Sequence, residues 1–267
     1  MMIEKDKTGK VTLAGAGPGD EELITLKLMN RLATADVIIT DRLVNPLIIE
    51  KYAAKDATVI FAGKQGYHEA SMTQEQVTGY IVEQALSGKA VLRLKGGDTA
   101  FFSNIFDELS SLVEQGIPYE IIPGITAASG ASAYTGIPLT ARNFSQGVQL
   151  LTFNPNSGYS PEKWKQLAQT HDTLVFYMAA KNITDLAEIL LRYTRHPSTP
   201  LAVIEQATTP FQAVHISSLQ QCKADFGNSS FRSPSLVIIG HVVSLYDKFG
   251  WFNATENSGS VFRELEA

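Results

Sequence analysis

The sequence predicts an α/β protein of two domains, the first on a mainly parallel sheet and the second on a mixed one. Three observations lead there. Short β-branched runs alternate with helical patterns through the first half, which is the signature of a parallel sheet covered on both faces. A polar, glycine-containing stretch at residues 141–147 then breaks the alternation. A second block of strands and helices follows, and its last strands are spaced like a hairpin. The expected limits are 1–142 for the first domain and 143–252 for the second. The remaining 253–267 form a polar tail, rich in Asn, Ser, Glu and Gly, that reads as disordered.

Val11-Thr12-Leu13 is the first strand and leads into Gly15-Ala16-Gly17-Pro18-Gly19-Asp20. Leu23, Leu26 and Leu32 give a helix over 21–33. Further strands are expected at 37–39, 59–61, 91–94 and 120–122, with helices at 73–86 and 106–115 between them. The second block offers strands at 148–153, 173–177, 201–204, 212–216 and 236–239, and helices at 161–168 and 183–193. Thr208-Thr209-Pro210 marks the turn that makes this sheet mixed.

Composition narrows the function. With 44% hydrophobic and 18% charged residues, the chain has the balance of an ordinary soluble protein. A net charge of -5 argues against a nucleic-acid binder. No run approaches the ~20 apolar residues of a membrane span, and the polar first ten residues lack a signal-peptide core, so a cytoplasmic location is expected. The lone Cys222 excludes an internal disulfide and reads as a buried structural thiol. The five histidines show no metal-ligand spacing, and no metal is expected.

Three loops carry the chemistry. The first, 15–20, follows a strand and opens a helix, a geometry that can bind an anion. A dinucleotide fingerprint wants glycine at its sixth position, where Asp20 stands, and Pro18 removes a donor. The second, Leu94-Lys95-Gly96-Gly97-Asp98, lets a ligand approach the backbone closely, with Asp98 a possible acceptor for a ribose or an amine. The third, Pro123-Gly124-Ile125-Thr126-Ala127-Ala128, starts an Ala/Ser-rich helix. A plain turn accounts for any one of them; three small-residue loops after three strands point to one crevice at the carboxyl ends of a parallel sheet.

These motifs, with Asp41-Arg42-Leu43-Val44, Gly63-Lys64, Gly136-Ile137-Pro138-Leu139-Thr140, Phe176-Tyr177-Met178 and residues 234–240, occur in the order found in uroporphyrinogen-III C-methyltransferases. The chain resembles that family over about residues 10–252. The resemblance implies two α/β domains with an active-site cleft between them, a homodimer, and S-adenosylmethionine as methyl donor to a tetrapyrrole. It implies cofactor contacts at Pro18, Gly96, Gly97, Asp98, Phe101, Thr126, Ala127, Met178 and Ala207, and an acid–base pair of Asp41 and Lys64. Arg42 and Arg142 are the candidates for binding substrate carboxylates, which arginine pairs bidentately. The implied reaction is conversion of uroporphyrinogen III through precorrin-1 to precorrin-2, toward sirohaem, cobalamin or haem d1.

The chain departs from the family pattern at several places. Residues 99–108 read Thr-Ala-Phe-Phe-Ser-Asn-Ile-Phe-Asp-Glu where the family has a Gly-Arg-Gly-Gly-Glu-Glu run, so Asn104 replaces an arginine. Gln65 also replaces an arginine, Ala141-Arg142-Asn143 stands for His-Arg-Asp, and Ala207 stands for a glycine. Two alternatives follow: a methyltransferase for a later, less charged precorrin, and a paralogue that binds S-adenosylmethionine or a porphyrin without turnover. A dinucleotide oxidoreductase is a distant fourth, disfavoured by Asp20.

Overall fold

The computed structural model describes residues 8–62, 72–155, 158–194, 196–256 and 258–263. They fall into two compact units, Met1–Thr126 with Ser260–Ala267, and Ala127–Gly259.

The first unit carries strands β1 (Val11–Gly15), β2 (Val37–Thr40), β3 (Thr58–Phe61), β4 (Val91–Lys95) and β5 (Tyr119–Ile122) in one sheet, ordered β3-β2-β4-β1-β5. Every pairing is parallel. Alternate residues serve opposite faces. Leu13, Val37, Ile39 and Val91 pack with Val77, Ile81 and Ala85 of α3 (Gln74–Leu86) and Leu112 of α4 (Phe106–Glu114). Ala14, Ile38, Leu92 and Leu94 pack with Leu28 and Leu32 of α1 (Leu26–Leu32) and Ile48 and Ile49 of α2 (Pro46–Tyr52). Each face thus has its own pair of helices, and trimming a fully buried residue such as Ile38 to alanine should cost roughly 2–5 kcal/mol.

The expected helix over 21–33 begins only at Leu26, because Thr25 caps it by accepting the Leu28 N–H. Helix α2 carries no leucine repeat, but Asn45 caps it and Pro46 occupies its first turn.

The second unit starts with α5 (Ala127–Thr135) and carries β6 (Val148–Thr152), β7 (Thr173–Tyr177), β8 (Pro200–Glu205), β9 (Ala213–Ser218) and β10 (Ser235–Ile239). Their order is β6-β7-β10-β8-β9. Only β6 and β7 are parallel; β10 runs against both β7 and β8, and β8 and β9 form the expected hairpin. One face is covered by α6 (Pro161–Gln169), α7 (Ile183–Leu191) and α8 (Cys222–Phe226), the other by α5 and the segment around Val242 and Val243.

The units divide after Thr126 rather than at residue 142. Helix α5 decides this: Ala128 and Ala131, followed by Ile137, pack on Val175, Ala202, Ile204, Leu236 and Ile238 of the second sheet. The described part of the tail, 253–256 and 258–263, is more ordered than its composition implied. Within the second unit the Gly259 carbonyl accepts from Gln206 and Arg232; in the first, Arg263 lies over the Phe61 ring and Phe262 is buried. Cys222 is a buried free thiol, its pKa raised to about 11 by burial and then by Asp225, as befits an inert core thiol. Among the described residues no helix is long and apolar enough to cross a membrane.

Candidate functional site

In the first unit a parallel sheet delivers the loops after β1, β2, β4 and β5 to one end. The backbones of Gly17 and Gly97 then pair, with N–H to O distances of 3.0 and 2.7 Å in the two directions. Ala16 N–H donates to the Lys95 carbonyl at 2.7 Å. These contacts use two of the donors that an anion-binding turn would present, and among the described residues no helix begins before Leu26. The 15–20 loop therefore continues the sheet through Ala16 and Gly17, which counts with Asp20 against a phosphate cradle of the dinucleotide type.

The loop after β4 meets its other neighbours just as closely. A Cβ on Gly124 would sit 2.3 Å from the Gly97 carbonyl oxygen, and one on Gly96 would sit 2.7 Å from the Leu43 carbonyl oxygen. Both positions must be glycine for the loops to approach. Asp98, buried, accepts from Gly124 N–H at 2.7 Å and from Ala100 N–H at 2.8 Å. Its carboxylate thus ties two loops together, with one hydrogen bond accepted on each oxygen. Asn45 adds a tie that the sequence reading passed over: its side-chain amide donates to the Gly19 carbonyl at 2.8 Å while its oxygen caps α2. The Asn-Pro step at a helix start was the signal for it.

Asp41 stands at the end of β2, half-buried, with Oδ1 accepting Leu43 N–H at 3.0 Å. The helix cap is Asn45, so Asp41 is not spent on capping. Arg42 is also half-buried; burial lowers its pKa, against the opposing pull of Asp41. Pro18 is buried and Gly96 and Gly97 are partly exposed, while Phe101 and Phe102 are 41% and 46% exposed. Lys64 lies outside the described residues.

In the second unit, Ala127, Met178 and Ala207 come to one end of the mixed sheet. Tyr177 pairs with Leu236, and Glu205 pairs with Ser235, so the carboxyl ends of β7 and β8 flank the start of β10. Ala128 N–H donates to the Tyr177 hydroxyl at 3.1 Å and brings the first turn of α5 there. Met178, Gln206 and Thr208 have φ of +58°, +45° and +71°. Left-handed non-glycine residues cost of order 1–3 kcal/mol each and cluster where a ligand is held. Hydrogen bonds maintain the last two: Gln206 N–H to the Pro234 carbonyl, and Thr208 N–H to Gln212 Oε1. Met178 is 66% exposed, unusual for an apolar side chain in a strained position.

Arg142 is not with them. It is exposed on a loop that lines an open recess of about 860 Å³ with Thr140, Asn143, Phe144, His171 and Asp172. His171 and Asp172 precede β7 and Met178 follows it, so the length of a five-residue strand, about 17 Å, separates the two ends.

The family model for tetrapyrrole (corrin/porphyrin) methylases matches residues 10–223. A sirohaem synthase of Pseudomonas entomophila is 42% identical over 250 residues, 94% of this chain and 54% of that protein. One of Saccharophagus degradans is 40% identical over 247 residues, 92% of this chain and 54% of that protein. The chain spans about half the length of these curated relatives. Among solved structures, the uroporphyrin-III C-methyltransferase of Thermus thermophilus complexed with S-adenosylhomocysteine has a TM-score of 0.73 and 31% identity, covering 89% of this chain and 94% of that one. A cobalt precorrin-4 methyltransferase has a TM-score of 0.79 at 24% identity, covering 91% of this chain and 99% of that one, a likeness of fold.

Proposed function

Because the chain belongs to the tetrapyrrole (corrin/porphyrin) methylase family, we propose that it transfers methyl groups from S-adenosylmethionine to carbon atoms of uroporphyrinogen III. The observation that carries this reading is the convergence of the loops after β1, β2, β4 and β5 through Gly17–Gly97, Gly96–Leu43 and Asp98–Gly124. Those are the motifs the uroporphyrinogen methyltransferases share with this chain.

On this reading Pro18, Gly96, Gly97, Asp98, Phe101, Thr126, Ala127, Met178 and Ala207 hold the methyl donor. Their work is positioning, since transfer to carbon needs a pyrrole carbon in line with the sulfonium methyl. Attack leaves a cationic ring that must lose a proton, and Asp41, kept out of helix capping, is the base. Lys64 serves as its partner or binds a substrate carboxylate. Arg42 binds a carboxylate at the same strand end. A second reading, transfer to a later and less charged precorrin, is favoured by Asn104 in place of an arginine and by Phe101, Phe102 and Phe106, all exposed.

The test is incubation with methyl-labelled S-adenosylmethionine and each acceptor in turn. A doubly methylated product from uroporphyrinogen III is expected. Label passing only to a methylated precorrin would select the second reading, and transfer to neither would refute both. Asp41→Ala is expected to lower turnover at least tenfold, within the range of acid–base contributions, while leaving affinity for S-adenosylhomocysteine unchanged.

A further inference from the structure

Strand β4 places two cations where a central parallel strand normally carries apolar residues. Arg93 and Lys95 alternate with Leu92 and Leu94, and their side chains are only 5% and 4% exposed. Both converge on Glu108, in the first turn of α4 and fully buried: Arg93 Nε lies 3.1 Å from Oε1, and Lys95 Nζ lies 3.0 Å from Oε2. Arg93 also donates to the carbonyls of Ile39 and Leu94, and Lys95 Nζ donates to the Ser103 carbonyl at 2.7 Å. Two positive charges on one carboxylate are a poor way to stabilise a core, where an apolar set of equal volume does as well or better. Burial and the neighbouring Arg93 push the Lys95 pKa down, against the pull of Glu108 and Asp41.

What the cluster holds is the 98–105 loop. Asp98 fixes its first end to Gly124, and Lys95 grips its far end at Ser103, whose hydroxyl donates to the Thr99 carbonyl. Between and beside these ties Phe102 and Asn104 adopt φ of +55° and +49°, conformations that persist only when the surroundings enforce them. We propose that Arg93, Glu108 and Lys95 form a buried positioning triad that locks the 98–105 loop into the shape in which Phe101 meets the methyl donor and Phe102 and Asn104 meet the acceptor. The role rests on the methyltransferase reading; the grip on the loop does not.

Lys95→Met separates the two. It removes the tie to Ser103 and leaves Arg93 and Glu108 as a balanced pair, so Tm should stay within about 5 °C. Chymotrypsin, acting without any ligand, should cut after Phe101 or Phe102 at least tenfold faster than in the native protein, because the loop opens locally. In the transfer assay kcat/KM for the acceptor should fall about 100-fold, the usual scale for a site displaced by an ångström. Unchanged cleavage in a folded Lys95→Met variant would overturn the triad. If that variant does not fold, the native protein decides: rapid cutting after Phe101 or Phe102 would show that nothing locks the loop. A loosened loop with unchanged kcat/KM would overturn the positioning role alone. A native protein that transfers no methyl group would overturn the methyltransferase reading, and the role with it, while the cleavage result still reports on the grip.

Discussion

The two sheets handle their strand ends differently. In the first, every strand runs the same way, so the loops after β1, β2, β4 and β5 arrive together and motifs far apart in sequence become neighbours: Gly17 with Gly97, Gly96 with Leu43, Asp98 with Gly124. In the second, β10 runs against its neighbours. Met178 and Ala207 share an end with the start of β10, while the loop that enters β6 from Arg142 sits at the opposite end, beside His171. The order of motifs along a chain therefore maps onto space through a parallel sheet and is lost through a mixed one.

The most damaging way to probe this contrast is Gly124→Ala. The new Cβ meets backbone 2.3 Å away and cannot be relieved by a rotamer change. A loss of about 3 kcal/mol is expected, read as a Tm drop of roughly 6–12 °C; a drop under 2 °C would mean that the two loops are not in contact. A smaller effect is expected from the other end of the same sheet. Glu120 on β5 receives Arg31, Lys27 and Lys10, and these hold its pKa at about 2, with Arg31 the largest cause and partial burial opposing. A depressed carboxylate contributes its full stability above its unfolded value of about 4.5, and loses it as pH falls toward 2. Glu120→Gln should thus cost about 1 kcal/mol at pH 7, with the gap between variant and native closing below pH 4, and S-adenosylhomocysteine affinity should not change. A gap that widened in acid would contradict the assignment.

Arg142→Ala is expected to do least, within ±0.5 kcal/mol in stability and with unaltered affinity for S-adenosylhomocysteine. Weakened binding of that product on calorimetric titration would place Arg142 with Met178 and erase the contrast between the sheets.

Much of the fold was legible because strand–helix alternation is written in local periodicity. What escaped depended on partners. Helix α5 is rich in Ala and Ser, so its pattern does not say which sheet it packs on, and the boundary was set too late. Glu21 and Glu22 resemble a first helical turn, but Thr25 is the cap that the backbone uses. Arg93 and Lys95 look like solvated charges on a strand; only Glu108, thirteen residues beyond Lys95, makes their burial possible. Asp98 stands out in the sequence beside its paired glycines, but that its oxygens accept from the Gly124 and Ala100 N–H groups is announced by no sequence pattern.

The central claim, that the loops gathered by the first sheet hold a sulfonium methyl donor, is tested most directly by calorimetric titration of the protein with S-adenosylhomocysteine, beside Asp98→Asn and an NAD control. Saturable binding at one site per chain is expected, weakened about tenfold in Asp98→Asn, equivalent to about 1.4 kcal/mol, with no heat from NAD. Binding of NAD with no response to S-adenosylhomocysteine would contradict the account.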